Sequence, residues 1–143
     1  MDRLFEANAV LSVFSKNYME LKKGLPVRPS EMGVLNIIVQ TSGPHTPVML
    51  AQLLRVSKPM ITAHLTSLED KGYITKTPSP EDKRAYYILP TQKAVTLVGN
   101  AKVDTDRQLE SMKNAMGQAE FERFISLVKC ANSVLEANRG EKK

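Results

Sequence analysis

The chain has 143 residues and a formal net charge of +5, and it contains a single cysteine. This length suits one domain that can bury a real core. No apolar run approaches the length of a membrane span and no secretory pattern opens the sequence, so we expect a cytoplasmic protein with no membrane partner. One cysteine permits no internal disulfide, as is usual in a reducing compartment. Without metal-ligand spacing, a glycine-rich phosphate loop or a nucleophile motif, the sequence predicts no metal site, no cofactor and no enzyme.

The N-terminal part predicts two helices. Apolar residues at alternating three- and four-residue spacing predict a helix over 3–23, which ends at Gly24-Leu25-Pro26. Its wide apolar stripe indicates contact with more than one neighbour. Ser30 can cap a second helix, which is apolar nearly all round over 34–39 and should therefore lie in the core.

A helix-turn-helix pattern follows. Thr46-Pro47 opens a short helix, Arg55-Val56 make the turn, and Ser57 is a good N-cap for a helix over 58–71. Pro59 falls in the first turn, where its missing N–H costs nothing. The apolar residues at helical spacing define the buried face of this second helix: Ile61, Leu65 and Leu68.

The other side of the second helix carries small and hydroxyl residues behind a lysine. Such a face can enter a major groove and touch base edges, although an ordinary solvated face is the alternative. No carboxylate occurs from Met32 to Leu68, and this stretch holds Arg55, Lys58 and two histidines, His45 and His64. Both features favour contact with phosphates.

Two strands, over 73–77 and 85–89, predict a hairpin with turn formers between them. Arg84 is the single arginine of this hairpin, and its planar guanidinium suits a narrow, electronegative minor groove. Asp82 can hold that arginine in one rotamer. The alternative is a surface ion pair that contributes almost nothing.

Leu-Glu-Asp-Lys-Gly-Tyr-Ile at 68–74 and Asp-Lys-Arg at 82–84 carry a resemblance to a known family. Together with the segments at 28–35 and 89–94, they make the chain resemble the MarR family of winged-helix transcriptional regulators. The resemblance implies that the helix over 58–71 reads the major groove and that Arg84 enters the minor groove with Asp82 as its partner. The chain departs from the family pattern twice. Arg55 stands where glycine is common, and Ala63 stands where many members have arginine.

The predicted fold class is therefore mainly α with a small β-hairpin wing, a winged helix-turn-helix with N- and C-terminal dimerisation helices. We expect a single domain over 1–143, with a DNA-binding lobe over 30–90 and dimerisation helices over 1–24 and 91–143. The predicted DNA-contacting residues are Arg55, Ser57, Lys58, Pro59, Met60, Thr62, Ala63, Thr66, Ser67, Asp82, Lys83 and Arg84.

The C-terminal part predicts a long helix from Pro90-Thr91 to about Met116, then Gly117 and a strongly apolar last helix. Burying the two apolar terminal helices against a second copy is economical, and the resemblance implies the same dimer. The alternative is a monomer whose terminal helices fold back on the core.

The expected function is that of a homodimeric repressor, which binds an inverted-repeat operator in double-stranded DNA and is released by a small aromatic effector, as the resemblance implies. Two alternatives are a winged-helix protein–protein adaptor and a redox-responsive regulator acting through Cys130. The apolar run around Cys130 instead predicts a packed, inert thiol.

Overall fold

The computed structural model describes residues 2–82 and 84–141. Their elements, in chain order, are α1 (Arg3–Glu20), α2 (Pro29–Gln40), α3 (Pro47–Leu54), α4 (Lys58–Asp70), β1 (Ile74–Pro78), β2 (Tyr86–Pro90), α5 (Gln92–Met116) and α6 (Gln118–Glu141). The two strands form one antiparallel hairpin, in which Lys76 pairs with Ile88. The predicted fold class, mainly helical with a small hairpin, is confirmed. The chain divides into two compact units, 1–103 and 104–143, which are described separately.

The core of the first unit is centred on α2, as its nearly continuous apolar sequence predicts. Helix α4 packs against α2, and so do α3 and β2. The fully or almost fully buried apolar side chains of this unit include Val34, Leu35, Leu50, Ile61, Leu65, Leu68, Ile74, Ile88, Ala94 and Val98. They come from every element between α2 and the start of α5, so these elements fold around one common core.

Helix α2 begins two residues earlier than its sequence suggests. Pro29 is the first helical residue and Arg28 is the N-cap, so the prediction that Ser30 caps this helix is wrong. Proline fits this first position because the N–H that it lacks would have no helical partner. The N–H of Arg28 donates to Glu31 Oε1 at 2.9 Å, so a carboxylate within the first turn closes the helix end.

His45 has a structural role. Its side chain is buried, and its carbonyl oxygen accepts a hydrogen bond from Ile88 N at 2.9 Å, which bridges it to the hairpin. The Thr41 hydroxyl donates to Ile37 O at 2.6 Å and lies 2.8 Å from His45 Nε2. Because a hydroxyl has one hydrogen to donate, Thr41 accepts at the second contact, and His45 carries a proton on Nε2.

The terminal helices differ from the core helices. None of the residues of α1 is buried, and Leu4 and Leu11 are 79% and 65% exposed. In the second unit, α6 also exposes large apolar side chains, among them Leu127, Val134 and Leu135. Each of these helices therefore presents apolar surface that one copy of the chain leaves in contact with water. Within the part of the chain that the structure describes, no helix is both long enough and apolar enough to cross a bilayer.

Candidate nucleic-acid interface

The start of α4 is built as the sequence predicts. Ser57 is the N-cap with extended backbone, and its Oγ accepts a hydrogen bond from Met60 N at 3.2 Å. Pro59 lies in the first turn, where no N–H is needed. Thr46 caps α3 in the same way, by accepting from Met49 N at 3.2 Å. Two capped helices joined by a short turn are the framework of a helix-turn-helix.

The turn between α3 and α4 contains a strained residue. Arg55 has φ 56° and ψ 45°, the left-handed region that glycine enters at no steric cost. An arginine there costs about 1 kcal/mol relative to glycine. Arg55 is exposed, so this strained turn carries a cationic side chain close to the N-terminus of α4.

Helix α4 separates into a buried side and an exposed side. Ile61, Leu65 and Leu68 are completely buried, which confirms the predicted core face. We call the exposed side of its first three turns the reading face. It consists of the exposed residues Lys58, Pro59, Met60, Thr62, Ala63 and Thr66, all of which the sequence predicts as DNA contacts.

Ser67, another predicted DNA contact, does not belong to the reading face. It is half-buried, and its hydroxyl is hydrogen-bonded to the carboxylate of Glu31 in α2. The structure thus gives Ser67 an anchoring role between two helices, which the pattern of polar residues along α4 did not predict.

The partner of Ser67, Glu31, is the residue of this region that sequence reasoning missed. Its side chain is 1% exposed, and Oε1 lies 3.0 Å from Lys71 Nζ. Burial by itself raises the pKa of Glu31, but hydrogen bonds from Ser67, from the N–H of Arg28 and from Lys71, together with the charge of Lys71, lower it from 4.5 to about 2. Glu31 is therefore ionised at neutral pH and holds both α4 and the residue that follows it against α2. Glu31 is the only charged residue of α2, and that was the available signal.

The other end of α4 is bound to the start of α5. Lys93 Nζ donates to the carbonyl oxygen of Lys71 at 2.7 Å, and Thr91 Oγ1 donates to the carbonyl oxygen of Gly72 at 2.8 Å. The N–H of Thr91 also donates to Tyr73 O at 3.0 Å. An ammonium group is favoured at a helix C-terminus, where unpaired carbonyls carry partial negative charge. We call these bonds from Thr91 and Lys93 the C-terminal clamp.

The hairpin presents Arg84 to solvent. Its side chain is 94% exposed, and Asp82 Oδ1 accepts a hydrogen bond from the backbone N–H of Arg84 at 2.9 Å. The same oxygen lies 3.6 Å from Arg84 Nε, which is too long for a hydrogen bond. Asp82 thus orders the backbone that carries the arginine more firmly than it orders the guanidinium. Lys83, the remaining predicted contact of the wing, lies outside the described residues.

Three further observations bear on functions other than DNA binding. Cys130 is exposed, so the prediction of a thiol packed in apolar surroundings is wrong within one copy of the chain. The residues that the structure describes contain no group of three His, Cys, Asp or Glu side chains that could hold a metal ion. His64 is half-buried on α4, and its Nε2 has no hydrogen-bond partner among those residues.

Comparison with known proteins agrees with this geometry. Residues 29–86 match the model of the MarR family. Among solved structures, the chain is similar to the transcriptional regulator Tm0710 from Thermotoga maritima, with 24% identity, coverage of 97% of this chain and 99% of that chain, and a TM-score of 0.58. It is similar to FabT of Streptococcus pneumoniae in complex with DNA, with 21% identity, coverage of 95% and 99%, and a TM-score of 0.77. The MepR–DNA complex of S. aureus gives 15% identity, coverage of 94% and 98%, and a TM-score of 0.76.

At these identities the solved structures show the fold alone, whereas the family match covers α2, α3, α4 and most of the hairpin. Tm0710, like other solved structures to which the chain is similar, is named as a transcriptional regulator. Residues 29–86 thus match the MarR family, and the described chain has the fold of the solved structures named above.

Proposed function

We propose that this protein is a homodimeric repressor that binds double-stranded DNA at an inverted-repeat operator and is released by a small aromatic ligand. The observation that carries the proposal is the exposure of the reading face and of Arg84, while the opposite side of α4 is completely buried. In winged-helix docking, such a helix enters a major groove and such a wing reaches an adjacent groove. FabT and MepR have both been solved with DNA, and their folds are similar to this one.

The proposed DNA contacts follow from the placement of the predicted residues. The reading face supplies the contacts to bases, and Arg55 and Ser57 lie beside the phosphates at the N-terminus of α4. The wing supplies Arg84, with Asp82 and Lys83 next to it in the chain. Each base contact discriminates by roughly 1–3 kcal/mol, so one helix alone gives limited specificity.

The homodimer supplies the second set of contacts. The exposed apolar side chains of α1 and of α6 support it, because burial against a second copy removes that surface from water. Two copies related by a two-fold axis require half-sites about one helical turn apart, roughly 34 Å.

Release by a ligand rests on the resemblance to the family and on the C-terminal clamp. Because the start of α5 is hydrogen-bonded to the end of α4, a ligand that moves the start of α5 also moves the helix that we propose reads DNA. Repression follows if the operator overlaps a promoter.

Titrating the purified full-length chain into a fluorescein-labelled random duplex, at several salt concentrations, tests DNA binding directly. Binding should weaken steeply as salt rises, because cations on the protein release counterions from the duplex. A winged-helix adaptor that reads no DNA would show no such binding at low ionic strength, and that result would reject the proposal. Light scattering on the same sample measures whether the protein is a dimer.

The substitution Cys130→Ser tests the redox alternative. If oxidant releases the wild-type protein from DNA and Cys130→Ser abolishes that response, the effector is an oxidant and not an aromatic molecule. An unchanged response in the variant removes the alternative.

A further inference from the structure

The residue types on the reading face restrict what it can recognise. In the major groove, arginine and lysine bind guanine, asparagine and glutamine bind adenine, and carboxylates accept from cytosine. Thymine is distinguished by its C5-methyl group, which apolar atoms contact, including the methyl groups of alanine and threonine. The side chains available on a recognition helix therefore indicate which base dominates direct readout.

On this chain, the reading face is composed mainly of carbon atoms. It contains no arginine, asparagine, glutamine or carboxylate, and position 63, in its middle, is an exposed alanine. Pro59 is likewise exposed, and Met60 is 48% exposed. Thr62 and Thr66 each add a methyl group beside a hydroxyl. Lys58, at the first helical position, is the one cation of the face.

We propose that this protein recognises its operator half-site mainly through the C5-methyl groups of thymines, contacted by Ala63, Thr66 and Pro59 of the reading face. The proposal rests on the proposed function, since it names the bases that the DNA-binding surface reads. Sites with thymines under α4 are preferred because each contact removes apolar surface of both partners from water. The hydroxyl groups of the two threonines can donate to acceptors or accept from donors on the base edges, so they add little discrimination of their own.

The wing gives an independent argument for the same base composition. Arg84 is almost fully exposed at the hairpin, where its guanidinium can enter the minor groove. Arginine is attracted to the narrow minor groove of A-tracts, whose electrostatic potential is more negative than that of mixed sequence. Both DNA-contacting surfaces of one copy thus favour A·T pairs, one through thymine methyl groups and one through groove shape.

The first experiment replaces thymine by uracil, which differs only by lacking the C5-methyl group. The probe is the tightest duplex that the full-length protein selects from a random library, synthesised again with single, symmetric pairs of dU in the two half-sites. Each lost methyl contact should weaken binding about fourfold, from about 0.8 kcal/mol per buried carbon, and a symmetric pair should weaken it about fifteenfold. Uracil placed outside the half-sites serves as the control and should leave affinity unchanged.

The complementary probe replaces guanine by 7-deazaguanine, which lacks the N7 acceptor that a lysine would bind. If this change weakens binding more than tenfold while every uracil pair is without effect, Lys58 reads guanine and the proposal is overturned. Failure of the protein to select any duplex at low salt rejects the proposed function itself. Selection of a duplex that tolerates uracil everywhere rejects only the thymine inference.

A matched pair of variants assigns the contact to a side chain. Thr66→Ser removes the methyl group and keeps the hydroxyl, whereas Thr66→Val keeps the methyl group and removes the hydroxyl. Because Thr66 is exposed, both variants should unfold at the same temperature as the wild type. At one thymine pair the serine variant should lose the preference for thymine over uracil, and the valine variant should keep it. The reverse pattern would assign the readout to the hydroxyl and overturn the proposed contact.

Discussion

The core of the winged helix and the surface of the terminal helices contain similar apolar residues in different environments. Helices α2 and α4 bury valine, leucine and isoleucine completely, whereas α1, with an equally regular apolar stripe, buries no residue along its length. Helical periodicity therefore identifies a face that must be buried, but it does not identify the surface that buries it. In the winged helix the same chain covers the face. For the terminal helices we propose a second copy.

Charges placed on the exposed apolar surface of α6 test whether a second copy covers it. Leu127→Glu combined with Leu135→Glu should yield a monomer, because both side chains are exposed in one copy and the charges oppose only burial by another. Affinity for a selected inverted repeat should fall about 10²–10⁴-fold, since the second half-site no longer binds intramolecularly. Light scattering and anisotropy measure the two effects. A dimer that persists would reject α6 as part of the interface.

A leucine pair compares buried with exposed positions inside the winged helix. Leu65→Ala should lower the free energy of unfolding by about 2–5 kcal/mol, because it leaves a cavity at a completely buried site. Leu53→Ala is the matched control, since Leu53 is 59% exposed, and it should change stability by less than about 0.5 kcal/mol. Urea denaturation measures both. Equal losses in the free energy of unfolding would show that Leu53 is also shielded from water.

Glu31 extends the comparison to a buried charge. Its pKa of about 2 lies below the ordinary 4.5, so its ionised form stabilises the fold by about 3 kcal/mol at neutral pH. This contribution is complete above pH 4.5 and is lost as the pH falls toward 2. Glu31→Gln should be less stable than the wild type at pH 7, and the gap should narrow at pH 3. Urea denaturation at both pH values measures it, and a constant gap would contradict the assigned pKa.

Arg84 tests the opposite situation, an exposed charge without a structural role. Arg84→Ala should weaken DNA binding by about 1–3 kcal/mol and leave the unfolding temperature unchanged, because its side chain is 94% exposed. Lys76→Ala is the comparison variant, because the Lys76 side chain has contacts within the protein. Its Nζ lies 3.5 Å from Glu69 Oε1 and 5.1 Å from the centroid of the Tyr86 ring. Unaltered affinity of the Arg84 variant would count against the wing contact.

The smallest expected effect comes from the strained turn, where stability and binding should change in opposite directions. Arg55→Gly should raise the free energy of unfolding by about 0.5–1 kcal/mol, because glycine adopts positive φ without strain. The same change should weaken DNA binding and reduce the salt slope by about one counterion, through loss of a phosphate contact. Parallel denaturation and salt titrations measure both. A variant that binds DNA as tightly as the wild type would remove Arg55 from the interface.

Local sequence rules predicted the parts of this fold that depend on neighbours in the chain. The Ser57 cap, the buried face of α4 and the hairpin all follow from residues a few positions apart. The rules missed Glu31, whose partner Lys71 lies 40 residues away, and they therefore also missed its hydrogen bond with Ser67. The bridge between His45 and Ile88 was not predicted for the same reason, because it joins distant segments. A polar residue whose partner is distant in sequence cannot be distinguished from a solvated one by pattern alone.

Lys71 is bonded twice, through its side chain to Glu31 in α2 and through its carbonyl to Lys93 in α5. Helix α4 therefore cannot slide along its own axis, or rotate about it, without breaking a buried ionic contact and an interhelical hydrogen bond together. Motion that preserves both contacts carries α2, α4 and the beginning of α5 as one rigid body. If α4 reads an operator as we propose, release that keeps both contacts must move the winged helix as one unit and not α4 alone.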